Sequence, residues 1–134
     1  MTLIKFKKDI YDELIKQEIF ESCGFVIGVD NYFYKIVKAK NREKRYGKFK
    51  VGLFDKVKVG FKILFGGFNS YALYHVHKDN VTMSKCDIEN ASVGSYNIII
   101  AKRRFALYKI IKSGKEKKAI SVLYERVSYY EPNK

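Results

Sequence analysis

The chain's two histidines, His75 and His77, stand either side of one valine, directly after Tyr71-Ala-Leu-Tyr74, which reads as a strand. Residues two apart on a strand project to the same side, so two imidazoles placed this way converge on one metal ion. His-X-His alone proves little, because surface or hydrogen-bonded pairs of this kind arise by chance. The sequel adds weight. Ser84-Lys-Cys-Asp87 comes next, and Ser with an acid three residues later is a helix start signal. Asp87 then lies in the first helical turn, where its carboxylate can return to the histidines. Two His and one Asp with a fourth position open to water suit a catalytic zinc ion.

Asp79 is the alternative carboxylate ligand. His75-Val-His77-Lys-Asp79-Asn80 begins like the His-X-His-X-Asp-His signature of the metallo-β-lactamase fold. That fold needs a third histidine where Asn80 stands and more downstream, and the chain has none. With 134 residues it is also too short for that fold. Water activated by zinc needs a base to accept its proton. The candidate is Glu21, in Phe20-Glu21-Ser-Cys23-Gly24-Phe-Val-Ile-Gly28, at a junction between a helix and a strand. Taken alone, it reads as an ordinary charged residue near a helix end.

Periodicity outlines the framework around these groups. Residues 8–20 place Ile10, Leu14, Ile15 and Ile19 near helical spacing, with Asp9, Asp12 and Glu13 towards the start, as the helix dipole favours. Cys23–Val29 is an apolar run expected as a buried strand, paired with Tyr32–Lys38 across an Asp30-Asn31 turn. Residues 39–52 read as a basic loop with a short strand. Phe54, Val57, Phe61 and Leu64 suggest a helix ended by Gly66-Gly67, although Val-Lys-Val and Phe-Lys-Ile alternate as strands do. A helix is expected over 84–93, and strands over Tyr96–Ala101, Arg104–Ile111 and Ala119–Tyr129. Helices mixed with strands, some of them hairpins, give an α+β fold with a mixed sheet flanked by helices.

Glu-X-Cys-Gly before an apolar strand, then His-X-His, then Ser-X-X-Asp, resembles the JAMM motif of the MPN/JAB metalloprotease family. The order and placement match from about Ile10 to Val127. The resemblance implies a single JAB/MPN-like, cytidine deaminase-like domain over residues 1–134. It implies zinc bound by His75, His77 and Asp87, Glu21 as general base, and Ser84 stabilising the tetrahedral oxyanion. It also implies a protein substrate, with hydrolysis of a peptide or isopeptide bond, often at the tail of a ubiquitin-like protein. Lys78 stands where the pattern usually has proline. Six residues separate His77 from Ser84, one fewer than is usual. Stand-alone domains of this size are similar to prokaryotic and phage members, which act in conjugation or defence, sulfur-carrier processing or phage tail assembly.

Composition bounds these readings. Hydrophobic residues make up 47% and aromatic residues 16%, enough for a packed core and too many for a disordered chain. No apolar run is long enough to span a bilayer, and Met1–Lys8 lacks a signal peptide's apolar stretch. With two cysteines, this points to a reducing, cytoplasmic setting without a membrane partner, or to a virion if the chain is a tail component. Cys23 and Cys86 read as small packing residues. Gly24 and Gly28 read as close-packing or turn positions, since no phosphate-loop spacing comes after them.

The net charge is +13, concentrated in two segments. Residues 35–62 hold eleven bases against two acids, and residues 102–118 hold eight against one. Lysines outnumber arginines, and ammonium groups read bases and phosphates poorly. The charge therefore suits an acidic protein face better than a nucleic acid. Lys48, Lys50, Arg103 and Arg104 are candidates for a rim that steers such a substrate towards the zinc. Two other classes compete with the peptidase: a binding or structural module on the same fold, and a basic nucleic-acid-binding protein.

Overall fold

The structure is a computed structural model in which residues 3–19, 22–39 and 53–128 are described. Among the described residues, eight strands form one mixed sheet with three helices. The chain starts with β1 (Ile4–Lys7), then α1 (Lys8–Ile15), and continues through the hairpin β2 (Cys23–Val29) and β3 (Tyr32–Ala39). After α2 (Leu53–Phe65) come β4 (Ser70–Val76) and the short α3 (Lys85–Asn90). The last four strands are β5 (Tyr96–Ala101), β6 (Arg104–Ser113), β7 (Glu116–Ser121) and β8 (Tyr124–Val127). Across the sheet their order is β7-β6-β5-β4-β2-β3-β1-β8. The pairs β1–β3, β1–β8 and β4–β5 are parallel, and the others are antiparallel.

Several expectations match. The β2–β3 hairpin turns at Asp30 and Asn31, both with positive φ (51° and 63°), the backbone that a two-residue hairpin demands. The ambiguous stretch after residue 52 is helical. It stops where Gly66 N–H bonds back to Lys62 O and Gly67 takes φ 80°.

Three expectations need correction. The first helix ends at Ile15, not residue 20: Lys16 is its C-cap and Gln17 N–H turns back to Leu14 O. Ile19, which fitted the helical spacing, is exposed. The N-terminal β1 was not anticipated, although Ile4 and Phe6 alternate with Lys5 and Lys7 in the period of a half-buried strand. Ala119–Tyr129 is not one strand. Its first part belongs to β7, paired with β6, and Tyr124–Val127 is β8, paired with β1.

That split has a topological consequence. β7 and β8 lie at opposite ends of the strand order, yet only Val122 and Leu123 separate them. The sheet must curl to bring β6 near β1. Phe105 on β6 accordingly meets Phe6 on β1 edge-on, with ring centroids 5.2 Å apart.

Alternation divides the sheet into two faces. Val26, Ala72, Tyr74, Val76, Ile98 and Ile100 pack with Ile10 and Leu14 of α1. The intervening residues face the other way, where Phe25 and Ile27 meet Val59 of α2, and Ile99 meets Met83 and Ala91 around α3. His75 lies between Tyr74 and Val76, so it belongs to this second face.

Candidate metal centre

In register, His75 stands opposite Cys23 of β2 on one side and Ile99 of β5 on the other. It is therefore the central strand β4 that carries the imidazole, and His75 is only 2% exposed. His77 lies just past the strand's last residue, anchored by its N–H to Ile100 O at 2.8 Å. The two rings meet edge to face at 89°, with centroids 4.7 Å apart.

The third group arrives from α3. Ser84 is its N-cap: the Ser84 hydroxyl oxygen accepts Asp87 N–H, and the Asp87 carboxylate accepts Ser84 N–H, both at 3.1 Å. This reciprocal cap fixes the Asp87 rotamer. It turns Oδ2 to within 3.0 Å of His77 Nε2 and Oδ1 to 3.9 Å from His75 Nδ1. One ligand atom from each of His75, His77 and Asp87 lies within 4.8 Å of the others, a group that can hold a metal ion.

The electrostatics suit a cation. Burial first, and the neighbouring His77 second, lower the His75 pKa to about 4, against a weaker opposing pull from Asp87. The ring is therefore neutral at pH 7, as a metal ligand must be. Burial pushes Asp87 up, but the bonds from His77 and the Ser84 amide outweigh it and hold the carboxyl below its ordinary value. Two imidazoles and one carboxylate at this spacing suit a divalent metal ion.

Asp79 is not part of this group. It is exposed, and its carboxylate lies 3.6 Å from Lys102 Nζ. Its side chain lies outside the group that His75, His77 and Asp87 form. Glu21 lies outside the described residues. The carbonyl of its neighbour Ser22 accepts Val76 N–H at 2.9 Å, next to the Cys23–His75 pair. Lys48 and Lys50 also lie outside the described residues. Arg103 is 4.0 Å from Glu18, and Arg104 donates to Asp79 O at 2.7 Å, so Arg104 braces a loop. Cys23 is buried, as expected. Cys86 is half-buried and accepts from Asn90 Nδ2 at 3.3 Å.

Some positioning residues escaped sequence reasoning. Tyr108 O–H donates to Val81 O at 2.7 Å, which with Arg104 ties down the loop between His77 and Ser84. Lys117 on β7 donates to Glu89 O at 3.1 Å and Ala91 O at 2.7 Å, holding the C-terminal end of α3. No local pattern marks such residues, since each acts across more than twenty positions of chain.

No protein-family model matches the chain, and no curated protein matches it. Among solved structures it is similar to the solution structure of protein DSY2949 from Desulfitobacterium hafniense. The TM-score is 0.71, with 12% identity over 93% of this chain and 94% of that one. At that identity the likeness is one of fold alone.

Proposed function

We propose that the chain is a zinc-dependent peptidase or isopeptidase of JAMM type on a JAB/MPN-like fold. The observation that carries this reading is the meeting of His75, His77 and Asp87, with ligand atoms within 4.8 Å. The residues come from a His-X-His at the end of β4 and a helix-starting Ser-X-X-Asp, the order that the resemblance requires.

His75, His77 and Asp87 would hold the zinc ion, which when bound would supply Lewis acidity to a scissile carbonyl and lower the pKa of water towards about 7. The protein's own groups do the rest. Glu21 accepts the water's proton as the nucleophile attacks and delivers it to the leaving amine. The Ser84 oxygen already accepts Asp87 N–H, so its O–H proton remains to be donated to the developing oxyanion. The resemblance makes the substrate a protein, with the extended C-terminal tail of a ubiquitin-like protein the leading case. An extended tail adds alongside a sheet edge. The setting is cytoplasmic, or virion-associated for a phage tail component.

The test combines metal analysis with one substitution. Gently purified protein should carry near-stoichiometric zinc and cleave a ubiquitin-like fusion or a generic peptide substrate. Glu21→Gln should keep the fold and the zinc, yet lose activity by about a hundredfold or more, because an amide cannot accept the proton. Full activity in that variant would overturn the mechanism. Protein that cannot bind zinc even when reconstituted would favour a binding module on the same fold.

A further inference from the structure

α2 is apolar on two sides. Val59, 3% exposed, packs into the sheet cluster together with Ile63. Roughly opposite them on the helix, Val57, Phe61, Leu64 and Phe65 recur at i, i+4, i+7 and i+8. They are 47%, 59%, 73% and 73% exposed, and the Phe61 and Phe65 rings stack with centroids 5.5 Å apart. Single exposed apolar residues are ordinary, but four in one stripe on one helix mark a contact surface. Helical geometry puts Lys58 and Lys62 on one flank of the stripe and Lys56 on the other.

The charge selects among occupants. A second copy would set like-charged lysine flanks against each other in a chain of net charge +13. An anionic occupant is complementary, and residues 35–62, which include most of α2, carry eleven bases against two acids. The flanking cations are all lysines, point charges that read no fixed phosphate geometry, and a fluid layer of anionic headgroups presents none to read. Phenylalanine and leucine on the apolar side with lysines beside them is the composition of an interfacial helix.

We propose that α2 seats this protein on an anionic lipid surface. Val57, Phe61, Leu64 and Phe65 enter the boundary between headgroups and acyl chains, and Lys56, Lys58 and Lys62 meet the lipid phosphates, their stems snorkelling along the helix. No helix among the described residues is long and apolar enough to cross a membrane, and this contact, which replaces the expectation of no membrane partner, needs none. Phe65 leads through Gly66-Gly67 into the start of β4, whereas His77 lies past its end. The seven-residue strand separates the two by about 20 Å. The C-terminal end of α2 and His77 therefore lie towards opposite ends of β4.

The test is cosedimentation of the full chain with vesicles of phosphatidylcholine alone or mixed with phosphatidylglycerol. Binding should occur on the mixed vesicles only and weaken with salt. Phe61→Ser combined with Phe65→Ser should cut partitioning about tenfold or more, because both rings lose their apolar insertion. Both positions are exposed, so the fold is retained, which circular dichroism verifies. No binding to anionic vesicles would overturn the proposal. Unchanged binding by the double variant would also overturn it, by assigning the attraction to charge alone. A concentration-dependent dimer lost in the double variant, without vesicle binding, would give the stripe to self-association.

Discussion

Oδ2 of Asp87 accepts the Ser84 backbone N–H at 3.1 Å, and the same oxygen lies 3.0 Å from Nε2 of His77. One carboxylate thus both closes the cap of α3 and faces the histidines.

Substitution of Asp87 should therefore have two separable effects. Asp87→Asn retains a capping oxygen but loses the anion, so zinc retention should fall sharply with little change in stability. Asp87→Ala should lose zinc and also destabilise the metal-free protein by about 1 kcal/mol through the broken cap. Asp79→Ala should keep its metal. Elemental analysis and thermal unfolding read both effects. Zinc lost from Asp79→Ala but kept by Asp87→Asn would reverse the ligand assignment.

Acid should destabilise the metal-free protein in two stages. His75 has a folded pKa of about 4 against an ordinary value of 6.5, so the unfolded chain binds its proton first. The contribution is fully present above pH 6.5 and is lost as pH falls towards 4, amounting to roughly 3 kcal/mol. Asp87, also depressed, adds a further loss as pH falls below its ordinary 3.8. Denaturant midpoints of chelator-treated protein between pH 7 and pH 4 measure the first stage, and His75→Gln should flatten it. An unchanged slope in that variant would assign the effect elsewhere.

Gly24, in the Glu-X-Cys-Gly stretch, is required by packing. A Cβ there would come within 2.5 Å of the Tyr74 ring and 2.6 Å of Val37 O. Gly24→Ala should destabilise the fold by about 1–3 kcal/mol through overpacking, as read by chemical denaturation. Stability equal to the parent would mean that the Tyr74 ring and the β3 backbone at Val37 both give way freely.

Lys117 should act on the metal centre from a distance. Lys117→Met removes both bonds to the end of α3 and should cost about 1 kcal/mol of stability. Because α3 carries Asp87, zinc should also dissociate faster, a readout that a change merely at the surface would leave alone. Chelator competition monitored by a zinc-sensitive dye tests this.

Legibility in the sequence tracked the range of the forces involved. The β2–β3 hairpin, the Ser84–Asp87 cap and the side shared by His75 and His77 depend on residues a few positions apart, and periodicity or turn chemistry reveals them. Helical spacing continued to Ile19, yet α1 stopped at Ile15, because Lys16, Glu18 and Ile19 are exposed and have no core to face. The alternation of Val-Lys-Val against helical spacing around Val57 was settled by Val59 and Ile63 finding the sheet.

The donor set is local in origin: two histidines two apart, and an aspartate placed by its own N-cap. Local pattern offered two carboxylates, however, and the folded chain chose between them. Arg104, on a strand far along the chain, holds the Asp79 carbonyl, while the Asp79 side chain stays exposed beside Lys102. Tyr108 and Lys117 hold the loop and helix that bring Asp87 inward. The split of residues 119–129 between β6 and β1 was likewise decided by the curl of the whole sheet. Sequence pattern encodes which side of an element a residue takes, whereas the partners that fix its position come from residues that meet only when the chain has folded.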